Sequence, residues 1–326
     1  MNVLSLFDGM SCGQLALDQL GIKVDNYYAA EIDKYAIEIA KKNYPNTRHL
    51  GDVTSVYAQH LPKIDLLMGG SPCQGFSFAG KQLNFDDPRS ALFFEFVRLL
   101  KETKPKYFML ENVRMKQEYQ DIISDHLGVK PIVINSALVS AQNRVRFYWT
   151  NIPTPYTIDK DGKLNGCIAD RHIYLKDILE PDATEPMLSN IYGGFKEKQP
   201  RVHTGKSVTI RTAAGGGHIP SVTLVGALRG RSFDEEGNPT DWKSGVHKQV
   251  LEIREDSKSN SLTLAQKDNL VVNEKLHYRK LMPLECERLQ TVPDGYTEGV
   301  SNTQRYKMLG NGWTVEVIKH IVKNME

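Results

Sequence analysis

Short unbroken apolar runs alternate with segments of helical period through roughly the first 150 residues. Residues 2–7, 27–30, 64–68, 107–110 and 145–149 read as strands, because runs of that length bounded by glycine, proline or charge suit strands covered on both faces. Residues 13–20, 34–43 and 91–103 place apolar side chains at three- and four-residue spacing and predict helices between those strands. Such alternation predicts an α/β, doubly wound sheet, in which ligands bind beyond the carboxyl ends of the strands. Three features fall at that edge: the loop around Gly9, the segment around Cys73 that follows the run 64–68, and Glu111 after the run 107–110.

Past about Pro153 the texture changes to glycine, serine, threonine, asparagine and charge, with β-like runs at 207–210 and 249–253. Residues 206–210 and 258–264 look alike, but two weak copies do not make a repeat architecture. Helical texture returns at 282–289 and 314–323. The expected organisation is a first domain over 1–172, a second, smaller β-rich domain over 173–273, a hinge and return segment over 274–300, and a last segment, 301–326, that rejoins the first domain.

With 326 residues, 40% apolar and 25% charged, the chain can bury a sizeable core. No window approaches a membrane span and the start lacks the pattern of a signal peptide, so an intracellular, cytoplasmic protein without membrane attachment is expected. The four cysteines, at 12, 73, 167 and 286, are too scattered for a disulfide framework or a zinc site. A net charge of +2 does not announce a nucleic-acid binder, but its distribution is uneven. From residue 201 to 231 there is no acidic residue, while Arg201, Lys206, Arg211, Arg229 and Arg231 all lie there.

The loop Phe7-Asp8-Gly9-Met10-Ser11-Cys12-Gly13 sits between a strand and a helix, where glycines admit a ligand close to the backbone. Its spacing is not the dinucleotide fingerprint. Glu31, ending the second run, stands where a carboxylate binds ribose hydroxyls, and Asp52 can accept from an adenine amino group; together they imply a nucleotide-like cofactor. Cys73, in Pro72-Cys73-Gln74, and Glu111, in Glu111-Asn112-Val113, supply a thiol and a carboxylate. Those groups can add sulfur to an aromatic ring carbon while a ring nitrogen is protonated, which points to pyrimidine chemistry.

These blocks, with Gln142-Asn143-Arg144-Val145-Arg146, residues 279–294 and Gly310-Asn311-Gly312, resemble in order the cytosine-C5 DNA methyltransferase family of bacterial and phage type. The resemblance implies a sequence-specific enzyme that moves a methyl group from S-adenosylmethionine to C5 of a flipped-out cytosine in double-stranded DNA, releasing S-adenosylhomocysteine. It implies that Cys73 adds to C6, that Glu111 engages N3 and the exocyclic amine, and that Arg146, with Arg144, completes the catalytic set. Cofactor contacts are implied for Phe7, Gly9, Gly13, Glu31, Ile32, Asp52, Val53, Pro72, Leu92 and Asn311. No metal is required, because a sulfonium donor is already activated.

DNA contacts are implied for Gln74, Ser77, Ala79, Lys81 and Arg89, in a segment suited to close over the flipped base, and for Arg211, Arg229 and Arg231 in the β-rich region, which would serve as a target-recognition domain. A monomer is expected, with a cognate restriction endonuclease as a partner not needed for activity. The tRNA-methylating branch of the family is the alternative within the same chemistry, and an inactive DNA-binding or regulatory homologue the alternative outside it. The long interval between Arg146 and Arg279 favours DNA, and the intact Cys73, Glu111, Arg144 and Arg146 favour an enzyme. Two departures from the family pattern stand out. Ala79 replaces a small polar residue, and Trp313 replaces a small aliphatic one, resembling the animal de novo branch and phage-borne enzymes, with no expected effect on the catalytic assignment.

Overall fold

A computed structural model describes residues 1–71, 88–180, 188–190, 201–203, 225–233, 239–240, 246–253, 259–260, 270–272 and 278–326, with side chains described over 1–71, 92–180 and 281–326. In chain order the elements begin β1 (Asn2–Leu6), α1 (Cys12–Gln19), β2 (Asn26–Ala30), α2 (Lys34–Asn43), β3 (Arg48–Gly51), β4 (Leu66–Gly69), α3 (Pro88–Thr103) and β5 (Tyr107–Val113). There follow α4 (Gln117–Leu127), β6 (Ile132–Asn135), β7 (Gln142–Asn143), β8 (Val145–Thr150), β9 (Tyr156–Ile158) and β10 (Leu164–Gly166). The remainder comprises β11 (Leu188–Asn190), β12 (Arg201–His203), β13 (Val225–Phe233), β14 (Pro239–Thr240), β15 (Val246–Ile253), β16 (Ser259–Asn260), β17 (Leu270–Val272) and β18 (Tyr278–Lys280). Helices α5 (Pro283–Leu289), α6 (Asn302–Asn311) and α7 (Val315–Val322) close the chain.

Two compact units divide these elements: Met1–Asn135, Val145–Ala169 and Trp313–Glu326 form one, Ser136–Arg144 and Asp170–Gly312 the other. The divisions after 169 and 312 differ from the expected 172 and 300, and 136–144 belongs with the second unit. Among the described residues no helix is long and apolar enough to cross a membrane.

The first unit is built on a nine-stranded sheet in the order β3-β2-β1-β4-β5-β8-β6-β10-β9. Strands β1 and β4 bury almost every residue, which is why both read as unbroken apolar runs rather than alternations. The sheet is parallel from β3 to β5, but β8 runs antiparallel between β5 and β6, so it is mixed. Both α4 and β6 escape the sequence pattern: α4 carries Gln120 on its buried face, and β6 is a four-residue strand. The hairpin of β9 and β10 extends this sheet, beyond the change of texture near Pro153. Phe93, Phe96 and Leu99 of α3 pack with Leu4, Leu6, Leu67, Leu110 and Trp149 into one core.

In the second unit β13 pairs along its length with β15, and β17 and β18 continue that sheet. The run 249–253 falls within β15, while 207–210 lies outside the described residues. Polar side chains from 136–144 satisfy carbonyls at helix ends, which intrahelical bonding leaves open. Ser140 Oγ and Gln142 Nε2 donate to Leu289 O, ending α5 (2.6 and 3.1 Å). Arg144 donates to Gly310 O (3.2 Å) and Gly312 O (3.0 Å) at the end of α6, where its charge also suits the helix dipole. The pattern does not predict α6, a polar helix whose last turn holds Gly310.

Glu287 is fully buried and almost saturated with donors. Its Oε1 accepts from Thr297 N (2.8 Å), Thr297 Oγ1 and Arg305 Nη2 (2.9 Å), and its Oε2 from Gly295 N (2.8 Å). Removing it strands Arg305 and two backbone N–H groups. Glu287→Ala should therefore cost about 3–5 kcal/mol, read as a lowered urea midpoint of the transition that reports the second unit. An unchanged midpoint would show that water replaces the carboxylate there.

Candidate active site

Register aligns the ends of five parallel strands. Gly51 pairs with Ala30, Ala30 with Leu6, Leu6 with Gly69, and Gly69 with Leu110, so one row crosses the sheet from β3 to β5. The next residue in each strand, Asp52, Glu31, Phe7, Gly70 and Glu111, stands at the carboxyl edge, where ligands bind in open α/β sheets.

The loop after β1 is held in left-handed backbone at Phe7 (φ 57°), Gly9 (φ 59°) and Ser11 (φ 64°). Two of these are not glycine, so the loop carries strain that its contacts must offset. Gly9 N donates to Glu31 Oε2 (2.8 Å), while Glu31 Oε1 accepts from Ile32 N and Asp33 N (2.8 Å each). Space beside the Gly9 Cα is open, whereas a Cβ on Gly13 would lie 2.7 Å from Met68 Cε and 3.2 Å from Trp313 Cζ3. Ile32 is 75% exposed, an apolar face next to Glu31. Asp52 is exposed; its Oδ1 accepts from Thr54 N and Thr54 Oγ1 (2.9 and 2.8 Å), which lowers its pKa. A strained loop with open space at Gly9, two carboxylates and an apolar face fit an adenosine-bearing ligand.

Across the row, Glu111 is buried within β5, two residues before its last, so the strand runs past the apolar run 107–110. Glu111 pairs with Tyr148 and Val113 with Arg146, so Arg146 is the diagonal neighbour of Glu111 on the same face, within reach of a long side chain. Arg146 Nε lies 3.0 Å from Glu111 Oε1, yet its N–H is not aimed well enough for a hydrogen bond. On the other side Trp313 Nε1 donates to Glu111 Oε2 at 3.2 Å. Asn112 faces the opposite way, and its Nδ2 donates to Ser71 Oγ (3.1 Å), tying the end of β5 to the segment that leads into Pro72 and Cys73.

Pro72, Cys73, Gln74, Ser77, Ala79, Lys81 and Arg211 lie outside the described residues, as do the side chains of Arg89 in α3 and of Arg229 and Arg231 in β13. Phe7 and Leu92 are partly buried against the first unit's core, and Val53 is buried. Arg144 and Asn311 both belong to the second unit, Arg144 buried on its carbonyls and Asn311 exposed at the end of α6. Two residues were not expected to matter. Trp313 touches Glu111, and its place as a departure from the family pattern was the available signal. Asp8 is the other: its Oδ1 accepts from Tyr27 Oη (2.7 Å) and its Oδ2 from Ser11 Oγ.

A family model described as C-5 cytosine-specific DNA methylase matches residues 1–326. Among curated relatives, the type II methyltransferase M1.ScrFI of Lactococcus lactis subsp. cremoris is 29% identical over 99% of this chain and 77% of its own length. The type II methyltransferase M.HhaI of Haemophilus parahaemolyticus is 27% identical over 100% of this chain and 94% of its own. Among solved structures, a prophage-encoded DNA modification methyltransferase of E. coli superposes with a TM-score of 0.60 at 23% identity, covering 99% of this chain and 98% of that one. A variant of Spodoptera frugiperda DNMT2 gives 0.58 at 20% identity, over 99% and 98%. At those identities the structural likeness speaks for the fold.

Burial pushes the Asp8 carboxyl up to about 6, against the hydrogen bonds that lower it. A raised acid is stabilising in its protonated form, so its contribution is complete below the unfolded value of 3.8 and is lost as pH rises through about 6. Above that, the buried charge costs on the order of 2–3 kcal/mol. Asp8→Asn removes the titration, so the variant should gain stability relative to wild type between about pH 4 and about pH 7. Urea unfolding across that range checks it; profiles that stay parallel would show that Asp8 is not the titrating group.

Proposed function

Because the chain belongs to the C-5 cytosine-specific DNA methylase family, we propose that the edge carrying Glu111 and Arg146 methylates a cytosine in double-stranded DNA through a transient bond from Cys73 to ring carbon C6. As a member of that family the protein is a DNA cytosine-C5 methyltransferase that uses S-adenosylmethionine. The observation that supports the site is the buried Glu111 carboxylate, braced by Trp313 and charge-balanced by Arg146, one residue ahead of the Asn112 contact to the Cys73 segment.

Cytosine C5 is too poor a nucleophile to take a methyl group unaided. The Cys73 thiolate forms the S–C6 bond, and Glu111, entering in its protonated form, gives its proton to N3, or hydrogen-bonds N3 through it, while its other oxygen accepts from the exocyclic amine. Arg146 donates to the ring O2 with its fixed fork. Electron density then reaches C5, which takes the methyl carbon. Loss of the C5 proton to solvent, return of the N3 proton to Glu111 and departure of the thiolate break the S–C6 bond and restore the ring. S-adenosylmethionine supplies a methyl group on a sulfonium, activated without a metal. Glu31 would hold its ribose, Asp52 its adenine amino group, and Ile32, Val53 and Leu92 its apolar surround.

The target base must leave the stack for C6 to be reached, at a few kcal/mol. Residues 75–89 would close over it, and the second unit would read the site, with Arg211, Arg229 or Arg231 on a guanine. The family's description as a DNA methylase favours DNA over tRNA, and the type II designation of the curated relatives supports a cognate endonuclease. Their bacterial sources support the cytoplasm of a bacterial or phage-infected cell, where the enzyme would act as a monomer.

Duplex DNA bearing 5-fluorocytosine cannot lose the C5 substituent, so the wild-type enzyme should be trapped on it as a stable adduct, and Cys73→Ala should not be. An adduct with the alanine variant would remove Cys73 from the reaction. Methylation profiling of Arg211→Ala, Arg229→Ala and Arg231→Ala on a random-sequence library should show one position relaxed, with a loss of about 1–3 kcal/mol at the proper site. Uniform loss by all three, with a shallower salt dependence, would mean that they only contact phosphate.

A further inference from the structure

We propose that Trp313 is the positioning residue for Glu111, its indole N–H fixing the carboxylate in the one orientation that serves the pyrimidine. This rests on the role given to Glu111 above. A glutamate near a strand end can turn its terminal torsion through a broad well, so its direction must be set by neighbours. Among the described residues two groups touch the carboxylate, and they differ in kind. Arg146 supplies charge at 3.0 Å without an aligned N–H, and its Nη1 donates to its own strand at Val145 O. The indole N–H of Trp313, 3.2 Å from Oε2, is the directed donor. It has no acceptor capacity, so it cannot exchange roles with the ligand.

Packing holds that donor in place. A Cβ on Gly70 would lie 2.8 Å from Trp313 Nε1 and 3.1 Å from Glu111 Oε2, so the Gly70 backbone lies directly against the bond. The far edge of the ring faces Gly13, where a Cβ would meet Cζ3 at 3.2 Å. One buried ring therefore lies between the start of α1, beside the cofactor loop, and the carboxylate that polarises the base. An aliphatic side chain here would fill space without directing Glu111.

Trp313→Phe keeps the ring's bulk and removes the donor. The single-turnover rate of methyl transfer should fall roughly ten- to a hundredfold, the effect of losing one hydrogen bond to a charged group. Calorimetric affinities for S-adenosylmethionine and for duplex DNA should stay within about twofold. In the Glu111→Gln background the same change should cost much less, since the two act as one unit. Independently of activity, the indole N–H resonance that Trp313→Phe deletes should move upfield in Glu111→Gln. A wild-type rate for Trp313→Phe, equal fold losses in both backgrounds, or an unmoved indole resonance overturns the proposal. A wild-type rate for Glu111→Gln instead overturns the reading of Glu111 on which it rests.

Discussion

Strand register in the parallel half of the first sheet is the constraint from which the site follows. A slip of one residue in any of β1 to β5 would turn its side chains to the opposite face. Because β1 and β4 are buried on both faces, such a slip would also put Ser5 or Gly69 where apolar side chains now pack. With the register fixed, the residues following Leu6, Ala30, Gly51, Gly69 and Leu110 have no choice but to meet at one edge. The antiparallel insertion of β8 does the rest. Only a strand running back beside β5 could offer Arg146 to Glu111 from the diagonal position.

Three buried carboxylates show how differently one group can be used. Glu287 accepts from three backbone or hydroxyl donors and a guanidinium, which nearly fills its lone pairs and ties it to its own unit. Asp8 accepts from the hydroxyls of Ser11 and Tyr27 with no cation paired to it among the described residues, and burial dominates. Among the described residues Glu111 has a single aligned donor and one imperfectly aligned cation. A carboxylate has roughly four lone-pair sites, so Glu111 alone of the three is both held in direction and open to a further partner.

Much of this was legible in the chain. Runs such as 64–68 and 107–110 could hardly be anything but buried strands, and α2 occupies the expected 34–43. Site residues that follow strands were legible for the same reason, since position after a strand needs no tertiary information. What the sequence hid was set by partners distant along the chain. Helix α4 buries Gln120 because its amide finds Met115 O, and no periodicity rule anticipates a satisfied glutamine on an inner face. Arg144 and Arg146 sit two apart, yet one holds the end of α6 and the other faces Glu111, because the division between units falls between them. Trp313 reads from sequence as a family departure of no consequence, since its contact with Glu111 spans 202 positions.

That span bears on how the protein is made. The first unit takes its closing piece, 313–326, only after the whole of the second unit has been synthesised, and α7 buries Val315, Val317, Ile318, Ile321 and Val322. A nascent chain emerging at about 5–20 residues per second therefore holds Phe7, Glu31 and Glu111 well before Trp313 is made. A chain stopped before Trp313 would hold the loop after β1 and the strand of Glu111, yet lack the one aligned donor that the described residues give that carboxylate.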